Sequence, residues 1–254
     1  MLVRNKIGGL LLGEKSRDEA LMSDNIVNEI LKNVGSNVNR STVEELVRQS
    51  LAFRIGVGGQ SGTRKPLLVN ASARHCHLTP EAVEILFGPG RTLTPMKDLY
   101  QTGAYAAEET VTLVGPRSRV ISNLRILGPC RDLNQVELAY TDAVALGFDI
   151  PVRPSGKIEG TPGCMLMGPA GFFEMQEGVI RAAPHVHMAP QDAEDYGVEA
   201  GEMMKLRVGG EVGVTFDQIL VRIDPTFKLE VHIDTDEANA CGLNPNSQVE
   251  LIKS

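Results

Sequence analysis

HCHLTPEAVEI, residues 75–85, has a close echo in HVHMAPQDAED, residues 185–195, and the pair decides how this chain reads. Each stretch sets a His-x-His ahead of a helix start. Thr79 can cap its helix, with Pro80 at the first helical position. Farther on, VELAYTDAVALGF (136–148) is echoed by VHIDTDEANACGL (231–243), in the same order. Two ordered echoes describe an internal duplication. In the second alignment Glu137 falls opposite His232. The economical architecture is two related β units packed about a pseudo-twofold axis.

Around these stretches the chain has the texture of a barrel or sandwich. From Pro66 onward short β runs follow one another: LLVNASAR, ETVTLVG, RVISNLRILG, QVELAY, GCMLMG, GEMMKLRVGG, ILVRI and KLEVHID. Turn residues separate them, in keeping with 26 glycines and 14 prolines. The expectation is a mainly β protein: two small β-barrel units, 66–150 and 151–254, with short helices and with strands free to exchange between units. Residues 1–65 read as a helical extension. Ile26, Val27, Ile30, Leu31 and Val34 share one helical stripe, Ser41-x-x-Glu44 forms a capping box, and 56–65 is a Gly-rich linker. The extension is either an appendage packed on the main domain or a tethered segment that docks on a partner.

Net charge is −7, which argues against broad nucleic-acid binding. Residues 1–66 carry ten Lys/Arg against seven Asp/Glu, so the remainder is the acidic part. An anionic substrate would need a locally basic pocket there. The four cysteines show no CxxC spacing, which favours a reducing compartment. No run approaches the roughly 18 apolar residues of a membrane span. The start MLVRNKIGGLLLG is broken by Asn5, Lys6 and Gly8-Gly9, unlike a signal peptide. A cytoplasmic protein without membrane contact is expected.

The five histidines are His75, His77, His185, His187 and His232. In a strand, His-x-His aims two imidazoles to one face and Cys76 or Val186 to the other. That spacing presents neutral imidazole nitrogens to a metal such as zinc. A lone histidine is more often a hydrogen-bonded core residue. Two pairs at repeat-equivalent positions change that balance. Five imidazoles exceed one tetrahedral ion, and Glu137, matched to His232, offers an oxygen ligand, so two zincs are expected. A competing reading sets His75-x-His77-x-x-x-Glu81-x6-Gly88 beside the first cupin metal motif. The upstream glycine is missing, since Val69 stands six residues before His75, and Glu81 falls in a helix first turn.

NASARHCHLT, ETVTLVGP, LRILGPCRDLNQVEL, HVHMAP and VHIDTDEANA resemble the signature segments of propanediol-utilisation-type phosphotransacylases, over about residues 66–252. The resemblance implies paired small β-barrels, a dinuclear zinc site (or cobalt or another divalent metal), and acyl exchange between coenzyme A and phosphate. It implies that His75 and His77 hold one zinc and that Glu137, His185, His187 and His232 hold the other. Arg131 matches the arginine near the transferred phosphate. Ser72, Lys97, Arg125, Leu127 and Asn239 fall where coenzyme A is lined. Cys76 stands where an aliphatic residue is more usual. The implied partners are acyl-CoA, phosphate and acyl phosphate, and microcompartment shell or core proteins through the N-terminal extension; the sequence allows a homo-oligomer without specifying one. The implied location is a microcompartment lumen. The alternatives are a dinuclear zinc hydrolase and a metal-stabilised assembly protein.

Overall fold

Both His-x-His stretches fold as strands, and each is the hub of its own sheet. The computed structural model describes residues 67–254, so the helical stripes and linker expected over 1–65 lie outside the described residues. The fold is mainly β: two curled half-barrel sheets with a few short helices.

The first hub is β2 (His75–His77), which follows β1 (Leu68–Ser72). Then come helix α1 (Pro80–Phe87), β3 (Pro95–Asp98), β4 (Tyr105–Val114), β5 (Val120–Gly128), β6 (Gln135–Glu137) and helix α2 (Tyr140–Leu146). The chain continues through β7 (Val152–Arg153), β8 (Cys164–Met167), β9 (Phe172–Met175) and β10 (Val179–Ala182) to the second hub, β11 (His185–Met188). Helix α3 (Pro190–Tyr196), β12 (Met203–Val208), β13 (Val214–Ile223), β14 (Glu230–Asp234), helix α4 (Thr235–Ala240) and β15 (Val249–Lys253) complete it.

The duplication is visible in the pairing. β2 runs antiparallel to β6 with His75 opposite Glu137; β11 runs antiparallel to β14 with His185 opposite His232. β2 and β11 each lie parallel to a long strand, β5 and β13 respectively. Local chemistry repeats as well. α1 and α3 both begin with proline after an extended residue, Thr79 capping the first through Ala82 N–H and Asp192 reaching back to Ala189 N–H in the second. α2 and α4 both end at a left-handed glycine, Gly147 at the cap of α2 and Gly242 just beyond α4, a conformation that side chains resist.

The strand before each hub does not join its hub's sheet. β1 pairs with β14 in the second sheet, in the order β1-β14-β11-β13-β12-β15. β10 pairs with β6 in the first, in the order β7-β10-β6-β2-β5-β4-β8-β9 with β3 on β4. Sheet membership therefore runs past residue 150: the first sheet takes β7 to β10 from beyond it, and the second takes β1 from before it. Side chains pin the exchange. Arg181 of β10 donates to Asp234 and Glu237 at 2.5 Å, and Arg74, between β1 and β2, donates to Asp142 at 2.6 Å.

Alternation then divides each hub's surroundings. Cys76, Ile126 and Val136 face one hydrophobic core, and Val186, Val221 and Val231 face a second, all at most 1% exposed. The histidines take the opposite faces. Each core thus fixes the register that aims the imidazoles.

Candidate metal centre

Antiparallel pairing at one register produces two groups of side chains that could hold a metal ion. His75, His77 and Glu137 form one, and His185, His187 and His232 the other; the candidate ligand atoms of each group lie within 4.8 Å of one another. The resemblance assigned Glu137 to the second group, giving two ligands and four. The geometry divides the six as three and three, because register sets Glu137 against His75, with Oε2 3.5 Å from Nε2 of that ring. Glu81 lies in the first turn of α1, fully outside both groups, which removes the cupin-like arrangement.

The segments that carry the strand exchange also orient the rings. The carbonyls of Ala73 and Ala183 lie 2.8 Å from Nδ1 of His75 and His185, and that of Leu127 lies 3.3 Å from Nδ1 of His77. A carbonyl only accepts, so these Nδ1 atoms carry the proton and Nε2 presents its lone pair. His187 is different. Neither of its ring nitrogens has a hydrogen-bond partner although both are buried, and Nε2 of His232 is likewise unpartnered. Buried polar atoms without partners are costly, and a cation among them would take the lone pair of one His187 nitrogen and of His232 Nε2. The ring centroids of this group stand only 4.6 to 4.8 Å apart, with His187 also stacked on Phe227 at 4.0 Å.

Polar side chains hold the ligands. Gln135 Nε2 donates to Glu137 Oε1 at 2.6 Å and the Ser155 hydroxyl donates to the same oxygen at 3.0 Å. At the equivalent place in the second half, Glu230 is 1% exposed and receives donors from Asn70 (3.2 Å) and Gln101 (2.7 Å). Its Oε2 lies 3.1 Å from Nε2 of His232. Burial works against the Glu230 charge, but His232 and the two amides hold its pKa below the ordinary value. Burial likewise opposes the Glu137 carboxylate, and His75, His77 and His185 keep it low.

Burial drives three imidazoles toward the neutral, metal-binding form. His77 falls to about 3, with His75 and Arg131 adding to burial. His185 falls to about 4 and His187 to about 2, His232 being the next cause in both. These values lie below the roughly 6.5 of an unfolded chain, so the unfolded state takes up protons first as pH drops, and stability falls with it. Metal-stripped protein is expected to lose roughly 1 kcal/mol per imidazole between pH 7.5 and 5.5, measured by urea denaturation at the two values. Equal midpoints would contradict it.

Arg131, between β5 and β6, has an exposed side chain that reaches Ser155 Oγ at 3.3 Å. Desolvation lowers its pKa, Glu137 counteracts this, and Arg222 adds to it. The other expected site residues spread along the first sheet and its neighbours. His77, Leu127, Ala106 and Lys97 form one row across β2, β5, β4 and β3, and Glu137, His75 and Arg125 form the next across β6, β2 and β5. Arg125 is anchored to the carbonyls of Ala107 and Glu108 at 2.8 and 3.0 Å. Ser72 ends β1 with its hydroxyl 3.4 Å from Nδ1 of His232, and Asn239 stands exposed on α4. A cleft of about 30 Å³ is lined by His75 and Glu137 of one group and by His185 and His232 of the other. Sequence reasoning passed over Glu230, Gln135, Ser155, Phe227 and Arg222. The only early signal was that residues 135 and 230 are repeat-equivalent.

The family model for phosphate propanoyltransferase matches residues 68–244. A phosphate propanoyltransferase of Planctopirus limnophila is 51% identical over 229 residues, covering 87% of this chain and 94% of that protein. One from Thermotoga maritima is 49% identical over 188 residues (74% and 89% of the two chains), and one from Listeria monocytogenes is 43% identical over 213 residues (84% and 94%).

Proposed function

The chain belongs to the phosphate propanoyltransferase family, and on that premise we propose that it exchanges a short acyl group, propanoyl or acetyl, between coenzyme A and inorganic phosphate at a dinuclear zinc centre. The observation that carries the centre is the pair of three-residue groups at one register, one of them with buried nitrogens that nothing else satisfies. His75, His77 and Glu137 would hold one ion and His185, His187 and His232 the other. Neutral imidazoles with one carboxylate suit zinc, and three protein ligands leave a position for substrate; cobalt would suit the same donors. When bound, such ions supply Lewis acidity that lowers a thiol pKa and polarises a carbonyl or phosphoryl oxygen.

The chain's own residues supply position and charge. Arg131 offers a planar fork to phosphate oxygens. Ser72, Lys97, Arg125, Leu127 and Asn239 would line coenzyme A: Lys97, Arg125 and Leu127 on the sheet that carries His75 and His77, Ser72 on β1 beside His232, and Asn239 on α4. A phosphate oxygen forms the C–O bond to the acyl carbon, the C–S bond breaks, and the electron pair leaves on sulfur as the coenzyme A thiolate; the reverse reaction retraces this. Direct displacement is favoured because burial raises all four protein thiols, Cys164 to about 12, which disfavours a thiolate as carrier of the acyl group.

The test is release of free coenzyme A from propanoyl-CoA and acetyl-CoA, with and without phosphate, on protein of measured metal content. Phosphate-dependent release with about two zincs per chain is expected from the donor count. Release equal without phosphate would indicate a thioesterase. Two zincs with no release from either substrate would indicate an assembly protein. Glu230 supports the second group, so Glu230→Gln is expected to weaken metal binding there roughly 10–100-fold, read by competition with a chelator. A microcompartment lumen, reached through residues 1–65, completes the reading. A fluorescent fusion lacking residues 1–60 that still co-localised with shell proteins would refute that targeting role.

A further inference from the structure

Arg222 lies on β13 in register with His187 of β11, while His187 faces Glu230 on β14. Three site-facing side chains thus stand in one row across neighbouring strands, which lie about 4.8 Å apart. The half-buried guanidinium of Arg222 is 5.8 Å from the centre of the Phe227 ring, and that ring stacks on His187. Arg222 makes no hydrogen bond or ion pair with any described residue. A guanidinium carries five N–H donors and loses water on burial, so one left without an acceptor is a site for an anion. The Arg222 charge reaches Arg131, Glu137, His185 and His187.

Arg131 and Arg222 come from opposite halves and converge on the same region. Glu137 partly neutralises the first. A dianion arriving beside that carboxylate needs a second positive group to offset the repulsion. The repeat places Arg222 where the first half has Leu127, since His77 neighbours Leu127 as His187 neighbours Arg222. The half that would line coenzyme A is apolar at this position, and the other half is cationic.

The geometry points to Arg222 as the second arm of the phosphate site, gripping with Arg131 the phosphate or phosphoryl group held beside the three-histidine group. This assignment rests on the acyl-exchange reading above. It assigns phosphate a cationic side chain on β13, on the other sheet from Lys97, Arg125 and Leu127, which would line coenzyme A.

The test uses full-length protein of measured metal content, as Arg222→Met and Arg222→Lys. Coenzyme A release from propanoyl-CoA is followed against phosphate concentration, and phosphate binding is measured by calorimetry. The Met variant should raise the KM for phosphate at least roughly 10-fold, as loss of one charge-assisted contact implies. It should leave the KM for propanoyl-CoA within about 2-fold and metal content unchanged, and Lys should recover part of the loss. If Arg222 only covered Phe227, stability would change without this selectivity. An unchanged phosphate KM, or equal rises for both substrates, overturns the assignment. Should the Met variant fail to fold, the Lys variant decides by the same split. Were parent turnover independent of phosphate, the acyl-exchange reading would fall; phosphate binding weakened about 10-fold by the substitution would still uphold the anion site, and equal or absent binding would overturn it.

Discussion

Replacing His187 with alanine is expected to lower phosphate-dependent acyl transfer by roughly 10³-fold and to remove one of two bound zincs. The magnitude follows from the several kcal/mol that a Lewis acid contributes in such reactions, at about 1.4 kcal/mol per factor of ten. His187 is the ligand with the fewest alternatives, since both its ring nitrogens are buried and unpartnered. The Ala73 and Leu127 carbonyls continue to hold His75 and His77, so the first group should survive. Zinc per chain, chelator competition and turnover should change together. A variant that keeps both zincs and most of its activity would remove His187 from the centre.

Arg131→Ala is expected to reduce kcat/KM for phosphate by about 10²–10³-fold, the range seen when a donor to a developing charge is removed. Arg131→Lys should recover only part, because an ammonium cannot make the paired contacts of a guanidinium. The fold should tolerate the change: the side chain of Arg131 donates a hydrogen bond of 3.3 Å to Ser155, and Ser155 keeps Glu137 and Gln135 as partners. Thermal stability and zinc content are the controls. Unchanged kinetics in phosphate, with activity still phosphate-dependent, would count against the assignment.

Much of this was legible in the residues. A period of two aims His75 and His77 to one face whatever the fold, and the duplicated motifs foretold the shared register of β2 and β11. The repeat also singled out Glu137, a strand carboxylate that otherwise looks solvated. What stayed hidden depended on pairing between distant segments. Glu137 meets His75 only because β6 pairs with β2, and nothing local to either strand says so. Glu230 reads as another alternating polar residue, and its burial arises when Asn70 and Gln101, more than a hundred residues earlier, close over it. Arg222 gains its meaning the same way, through the β11–β13 register. The exchange of β1 and β10 was allowed by the sequence but not specified, since both strands have the same pattern in either sheet.

That exchange has a bearing on how the two sites can differ. A swapped pair of identical chains would be forced to place the same residue at both equivalent positions, giving two chemically identical ion cages. One continuous chain removes the constraint while keeping the interlocked scaffold. Glu137 and His232 occupy matched places, yet the first group has a carboxylate among its candidate ligands, whereas the second has imidazoles alone, with the Glu230 carboxylate against His232. Counting candidate ligands alone, an ion of the same element would have a net charge one unit lower in the first group than in the second. Arg222 stands on the side of the imidazole-only group. Covalent fusion of two look-alike halves thus permits a division of labour that symmetry would forbid.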